Sequence, residues 1–381
     1  MKICFFIETL SKGGAERVIA NLSNYLINLD QIENVDILNI YNTDVAYKLD
    51  EKVNLYTIEK KYIKYEDLLN NGNKISKLVF KIKKFFKNIY RKRKVERFYK
   101  KANYDVIIAF LPEPSFMILS LKNKLSIPII ISERNDPNKE YNNIRAKHLM
   151  KKLYPLADGI VFQTLDAKKY FDGIVNSNYE IIPNPVNELF IKNPYSGERK
   201  KIIVNVGRIE EQKNQLLLIK SFEKIMNRFP DYKLIIYGEG SKKNELIEYI
   251  NERKLNDKVV FAGQVDNIYE KIYDASLFVL SSDYEGMPNA LIEAMCLGLP
   301  VISTDCPCGG PKMLIKDGVN GFLVPVNNEK KMSETIGKIL TDDKLRENLS
   351  INACKLKEIV SSNVVNQKWL KFIQTVVKGE K

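Results

Sequence analysis

Short apolar runs alternate with longer segments of helical period along the whole chain. In the first part, Ile3–Ile7, Asp36–Ile40, Val106–Phe110, Pro128–Ile131, Gly159–Phe162 and Glu180–Ile182 read as strands. A second series follows at Ile202–Val206, Lys233–Tyr237, Val259–Phe261, Leu277–Leu280, Val301–Ser303 and Gly321–Val324. Helical segments such as Gln215–Arg228 and Lys242–Lys254 separate most of them. Alternation of this kind predicts parallel sheets covered by helices on both faces. The two series break near Pro183–Lys200, a stretch rich in Pro, Asn and Gly without helical period. The expected architecture is α/β, with two Rossmann-like, doubly wound domains facing a cleft. In such sheets ligands bind outside the carboxyl ends of the strands. The boundaries read as 1–187 for the first domain, 188–200 for a linker and 201–363 for the second.

A length of 381 residues suits two domains of roughly 100–200 residues each. With 45% hydrophobic and 28% charged residues the chain has material for two cores, which excludes disordered, collagen-like and coiled-coil classes. No apolar run approaches the ~18–20 residues that span a bilayer. The first strand is too short for a signal-peptide core, so a cytosolic location with reduced thiols is expected for the five cysteines. There is one histidine, His148, in a mixed helical stretch that reads as surface. Cys306-Pro307-Cys308 reads as two small residues in a turn, since a zinc site needs four ligands. No D-x-D occurs, and neither a metal nor a cofactor is expected.

The net charge of +13 is concentrated. Residues 74–101 hold 13 Lys/Arg and one Glu, a net of +12, leaving +1 for the rest of the chain. Within this segment Ile75, Leu78, Ile82, Phe85 and Ile89 step by three and four, with Val79 and Phe86 beside them. A helix of 28 residues would be ~42 Å long. One reading packs the stripe on a domain and solvates the lysines. The other sets an arm against anionic lipid or a polyanionic substrate. Solvated faces usually mix both signs and this one does not, which favours the second reading. Lys83, Lys84, Lys87 and Arg91 are its candidate contacts for phosphate or acceptor.

Five motifs sit just after strands. Gly13-Gly14 opens a helix after the first strand, where paired glycines admit a close ligand and free N–H groups favour an anion. In Gly207-Arg208-Ile-Glu-Glu-Gln-Lys213-Asn214, two cations five residues apart bracket a helix start and could hold a diphosphate without metal. In Glu285-Gly-Met-Pro288-Asn289-Ala290-Leu291-Ile-Glu293, Pro288 is expected as the first helical residue, leaving the N–H groups of Asn289, Ala290 and Leu291 unpaired. Glu293 lies about one turn into a mostly apolar helix, where a carboxylate needs partners such as a ribose diol. Gly238-Glu239-Gly240 and Phe261-Ala-Gly263-Gln264-Val265 follow two further strands.

In combination these motifs resemble the retaining, nucleotide-sugar-dependent glycosyltransferases of glycosyltransferase family 4, which have the GT-B fold. GGAER, IPNPV, GRIEEQKN, YGEG, FAGQV, EGMPNALIEAMCLGLPVISTD and DGVNGFLV carry the resemblance from end to end. GGAERV with ISERND looks like the branch that extends lipid-linked or surface polysaccharides, of capsule or O-antigen type, with hexose or N-acetylhexosamine units. The resemblance implies that Arg208 and Lys213 hold the donor diphosphate, with amides of Asn289–Leu291 on the phosphates. Glu293 would take the ribose hydroxyls, Glu285 the donor sugar, Gly263–Val265 the base, and Gly13 and Gly14 the opposite wall of the cleft. It also implies that the last helix, residues 364–381, packs back on the acceptor-binding first domain. Two positions depart from the family pattern. Arg134 stands where ISEH would place a histidine, and could add a cation near the phosphates. Met313 stands where a glutamate is usual after Gly310-Pro311.

The implied reaction is metal-free transfer with retention, Arg208, Lys213 and Glu285 forming its catalytic core. The donor would be a UDP-sugar, the acceptor polyprenyl-diphosphate-linked or glycan, and the place the cytoplasmic face of an anionic membrane, without nucleic acid. Two rivals have distinct signatures. A UDP-sugar epimerase on the same scaffold would carry several catalytic histidines. A non-enzymatic membrane or nucleic-acid binder would leave the strand-end motifs without purpose.

Overall fold

The computed structural model describes residues 1–11, 13–59 and 74–380, and for residues 74–85 the backbone alone. The chain divides into two compact units. One comprises Met1–Phe162, Lys169–Ile182 and Asn366–Lys381, and the other Gln163–Lys168 and Pro183–Val365.

The N-terminal unit is built on seven strands: β1 (Lys2–Ile7), β2 (Asn34–Tyr41), β3 (Asn54–Glu59), β4 (Val106–Phe110), β5 (Ile129–Ser132), β6 (Gly159–Phe162) and β7 (Asn178–Ile181). Their order is β3-β2-β1-β4-β5-β6-β7, every pair parallel. The order reverses between β1 and β4. Helices α1 (Gly14–Leu26), α2 (Lys74–Lys101), α3 (Pro112–Leu119) and α4 (Ile144–Leu153) connect or flank the strands. β3 is the strand that a search for apolar runs passes over. It is an edge strand, with Asn54, Tyr56 and Thr57 exposed and Ile58 alone buried, so it needs little apolar character.

The second unit repeats the plan with six strands: β8 (Lys200–Val206), β9 (Lys233–Tyr237), β10 (Val259–Gly263), β11 (Ala275–Leu280), β12 (Val301–Thr304) and β13 (Phe322–Val324). The parallel order is β10-β9-β8-β11-β12-β13, reversing between β8 and β11. Along β11, Leu277 and Val279 enter one core while Phe278 and Leu280 enter the other. Side chains alternate across a strand, so a sheet covered on both faces demands this unbroken apolar run. The helices relevant below are α5 (Gln215–Glu223), α6 (Lys243–Glu252), α7 (Asn289–Cys296) and α8 (Ser362–Lys378). The last 16 residues belong to the N-terminal unit. There α8 buries Trp369, stacked on Phe110 of β4 with ring centroids 5.6 Å apart.

Segment 74–101 forms the single helix α2, but it does not face as expected. Its buried side is Arg91, Val95 and Tyr99, whereas Phe86 of the predicted apolar stripe is 64% exposed and Ile89 is partly exposed. Lys87 and Arg91 likewise leave the solvent face. The Arg91 guanidinium pairs with Glu59 at 2.8 Å and Glu113 at 2.7 Å and donates to the Tyr41 hydroxyl, while Lys87 pairs with Glu59 at 2.8 Å. Burial works to raise the Glu59 pKa, but the Arg91 and Lys87 hydrogen bonds outweigh it and hold the carboxyl low. The side chains of Lys83 and Lys84 lie outside the described residues. Among the described residues no helix is long and apolar enough to cross a membrane.

Candidate functional site

Lys213 and Glu285 come from loops that follow β8 and β11, the neighbouring strands at which the second sheet reverses its order. A doubly wound sheet opens a crevice at that point, because successive crossovers leave it in opposite directions. The Lys213 ammonium lies 2.5 Å from Glu285 Oε1, and the Ser282 hydroxyl donates to the same oxygen at 2.6 Å.

Each partner is held by its own loop. The Gly207 N–H donates to the Tyr237 carbonyl at 3.0 Å, and the Ile209 N–H to the Glu239 carbonyl at 2.9 Å. This lays the loop after β8 directly on the loop after β9. A Cβ on Gly238, whose φ is +142°, would stand 1.9 Å from the Gly207 carbonyl oxygen, and one on Gly240 2.2 Å from that of Ile209. YGEG is therefore needed for close backbone approach. Asn214, at φ +44°, caps α5 by accepting the Leu217 N–H and anchors to Asp283 at 2.8 Å. The Ser281 hydroxyl donates to the Lys213 carbonyl at 2.9 Å. Glu285 is clamped by the Cys306–Cys308 turn, its backbone N–H donating to the Pro307 carbonyl at 2.6 Å and its carbonyl accepting from the Cys308 N–H at 2.9 Å. It is 5% exposed. The thiols of this turn are buried, and burial followed by the Glu285 charge pushes Cys306 up to about 12.

Arg208, in the same loop as Lys213, is exposed and makes no side-chain hydrogen bond or ion pair among the described residues. Its carbonyl accepts from the buried Gln215 side chain at 2.9 Å. Pro288 is the N-cap of α7 rather than its first residue. Its carbonyl accepts the N–H groups of Leu291 and Ile292, at 3.1 and 3.2 Å. Leu291 therefore drops out of the expected amide set, and the Asn289 and Ala290 N–H groups are left without an acceptor among the described residues. The Asn289 side chain accepts from Asn184 at 2.8 Å, and Asn184 accepts from Gln163 at 2.6 Å. Glu293 is buried on α7 between Ile292 and Ala294. Gly263 ends β10 and accepts the Gly238 N–H at 2.8 Å, with Gln264 exposed and Val265 partly exposed beyond it. Met313 is 40% exposed on the short helix Gly310–Leu314.

Gly13, Gly14 and Arg134 belong to the N-terminal unit. Gly13 brackets the Tyr47 hydroxyl with its N–H and carbonyl, at 3.2 and 2.8 Å, and Gly14 begins α1. Arg134 is not presented as a phosphate ligand would be. Its guanidinium is buried over the Phe110 and Trp369 rings, at 4.8 and 5.7 Å, and burial pushes it down to about 9. Beside it Glu133 accepts from Tyr141 and Tyr154, and burial pushes its carboxyl up to about 7.

The first sheet has its own crevice where its order reverses. A groove of about 1060 Å³ opens there, with Glu8 following β1, Glu113 following β4, Arg91 of α2 and Phe116 of α3 on its walls. Burial, then the charge of Glu113, pushes Glu8 up. Glu8, Glu113, Ser282 and Asn184 escaped the reading of the sequence. The available signal was their position: each is a polar residue in the few positions after a strand, and Asn184 lies inside IPNPV.

Known proteins resemble the chain along nearly its whole length. Residues 12–188 match Glycosyltransferase Family 4 and residues 187–356 match Glycosyl transferases group 1. A Campylobacter jejuni N-acetylgalactosamine-N,N'-diacetylbacillosaminyl-diphospho-undecaprenol 4-alpha-N-acetylgalactosaminyltransferase is 30% identical over 91% of this chain and 92% of its own. A second protein of that organism, a GalNAc-alpha-(1->4)-GalNAc-alpha-(1->3)-diNAcBac-PP-undecaprenol alpha-1,4-N-acetyl-D-galactosaminyltransferase, is 29% identical over 99% of both chains. Among solved structures, Anabaena HepE in complex with UDP superposes with a TM-score of 0.77 over 98% of this chain and 100% of its own, at 18% identity.

Proposed function

Given that the chain belongs to the family 4 glycosyltransferases, we propose that it transfers a hexose or N-acetylhexosamine from a UDP-sugar to a lipid-linked or surface-polysaccharide acceptor, with retention and without a metal. The observation that carries this reading is the Lys213–Glu285 pair at the strand-order reversal, with Arg208 exposed in the same loop. In the reaction, the bond between the anomeric carbon and the diphosphate breaks and negative charge gathers on the leaving phosphate. Arg208, Lys213 and the Asn289 and Ala290 amides are preorganised donors for that charge. The diphosphate takes the place of Glu285 as partner of Lys213, which turns the Glu285 carboxylate toward the donor sugar. Glu293 holds the ribose hydroxyls. The acceptor oxygen bonds to the anomeric carbon on the face the diphosphate leaves, and its proton passes to a phosphate oxygen, so no side-chain base is required.

The names of the Campylobacter relatives, transferases of undecaprenol-diphosphate glycans, support a lipid-linked acceptor. Such an acceptor resides in a membrane, and the cations of α2 suit the anionic surface of its cytoplasmic leaflet. Arg93 and Arg97 on the exposed side of α2 serve that contact, in place of Lys87 and Arg91.

The test is a panel of nucleotide sugars offered to the purified protein. One UDP-sugar should raise the melting temperature, since a ligand at 100 times its dissociation constant adds ~2.7 kcal/mol. Its UDP should be released slowly, unaffected by EDTA, and the acceptor product should keep the donor's anomeric configuration by NMR. Stabilisation by a GDP- or ADP-sugar alone, or loss of turnover on chelation restored by Mn²⁺, would sink the donor and metal assignments respectively.

A further inference from the structure

We propose that Asn184 is a positioning residue: it holds the Asn289 carboxamide with its NH₂ end toward the ligand, as a further donor beside the Asn289 and Ala290 backbone N–H groups. The inference rests on the reading that the donor diphosphate meets the start of α7, and adds to that contact a side chain and its support.

Three carboxamides run head to tail in the second unit. Gln163 Nε2 donates to Asn184 Oδ1 at 2.6 Å, and Asn184 Nδ2 donates to Asn289 Oδ1 at 2.8 Å. Gln163 and Asn184 are buried, and Asn289 is partly exposed. A group that can only accept fixes the direction of the chain: the Met287 carbonyl lies 3.4 Å from Asn184 Nδ2. An Asn184 turned about would set its own oxygen against that carbonyl and against the Asn289 oxygen. The first carboxamide is held in its turn, because the neighbouring Thr164 is buried and its hydroxyl donates to the Cys308 carbonyl at 2.8 Å.

The consequence lies at the open end. With its oxygen taken by Asn184, Asn289 keeps two N–H donors on Nδ2, which have no acceptor among the described residues. Asn289 is also the first residue of α7, where its backbone N–H and that of Ala290 are left over. Groups of one kind, all donors, thus gather at the head of the helix. A phosphate oxyanion, which only accepts, answers every one of them. A hydroxyl would also have to place its own hydrogen, for which this end offers no acceptor. Carboxamides aligned in one direction polarise each other, which strengthens the terminal donor. A lone surface Asn could turn either end outward, whereas the two buried carboxamides behind this one keep its donor end in front.

The experiment uses the full chain, with UDP binding followed by calorimetry and binding of uridine, which has no phosphate, by saturation-transfer NMR. Asn289→Ala should weaken UDP at least about tenfold, the scale of one hydrogen bond to a charged group, and leave uridine unchanged. Asn184→Asp still accepts from Gln163 but sets a carboxylate oxygen against Asn289, which turns that carboxamide round and brings its oxygen to the phosphate. It should weaken UDP at least as much, again without touching uridine, and should cause no further loss when added to Asn289→Ala. Should Asn184→Asp fail to fold, Asn184→Ala replaces it, with a smaller loss that likewise vanishes in the Asn289→Ala background. Wild-type affinity for UDP in Asn289→Ala would overturn the proposal. So would an Asn184 effect that persists without the Asn289 carboxamide, or one that weakens uridine equally, since either would make Asn184 a support of the fold alone. If the wild-type protein binds UDP no better than uridine, the diphosphate reading fails and takes this proposal with it. If Arg208→Ala weakens UDP and Asn289→Ala does not, the diphosphate reading stands and this proposal alone is lost.

Discussion

Both sheets reverse their strand order once, and each opens a crevice at that point, yet the two crevices are furnished differently. In the second unit, the partly buried Lys213 meets the buried Glu285 and Ser282, with Arg208 exposed in the same loop. In the N-terminal unit, Arg91 is tied on three sides, to Glu59, Glu113 and Tyr41, against a groove of about 1060 Å³. Topology supplies the location in both cases. The use is decided by how many partners each cation already has. Arg91 satisfies its guanidinium within the fold and acts as a brace. Lys213 has one carboxylate partner among the described residues, which in the proposed reaction an incoming diphosphate replaces.

The largest expected effect tests the brace. Arg91→Met should lower the stability of the N-terminal unit by about 3 kcal/mol, because it removes the buried guanidinium's hydrogen bonds to Glu59, Glu113 and Tyr41 and leaves Glu59 with Lys87 alone. Denaturant unfolding checks this, and a variant as stable as wild type would show that the three contacts contribute little. Glu133 sharpens the same side of the comparison. Its folded-state pKa of about 7 lies above the ordinary carboxylate value. The neutral form is therefore favoured in the folded protein, and stability present at low pH is lost as pH rises from about 4.5 to 7. The loss amounts to at most about 3 kcal/mol at 1.36 kcal/mol per pKa unit. Thermal melts from pH 5 to 8 should show the decline, and Glu133→Gln should flatten it while still accepting from both tyrosines.

On the other side, Arg208→Ala and Lys213→Ala should each cut turnover at least ~100-fold, the scale of one lost transition-state donor. Arg208 is the cleaner probe. It is exposed, so its melting temperature should barely move, whereas Lys213→Ala leaves Glu285 buried without its ammonium. Wild-type rates in both variants would remove the clamp. The smallest effect is expected for Glu293→Gln, which should weaken donor binding about tenfold in calorimetry, since a neutral amide holds ribose hydroxyls less strongly than a carboxylate. A change in turnover at unaltered affinity would move Glu293 from donor binding to the chemistry.

The sequence by itself determined the doubly wound α/β plan and the family. Strands of a parallel sheet are buried on both faces, so β4 and the Leu277–Leu280 part of β11 announce themselves as unbroken apolar runs. Gly238 and Gly240 can be no other residue where two backbones touch. The mostly exposed β3 had no such constraint and left no such signal. Only the tertiary structure decided which side of each helix faces inward and which charges meet. A helical period reveals a stripe but not its neighbour. Arg91 is buried because Glu59 and Glu113, 32 and 22 residues away, are folded against it. Pro288 caps α7 because its carbonyl, and not its nitrogen, meets the first turn. Lys213 and Glu285 are 72 residues apart and become one site through the adjacency of β8 and β11. Pairing across such separations costs chain entropy that only the packed sheet repays, and no local pattern of residues encodes it.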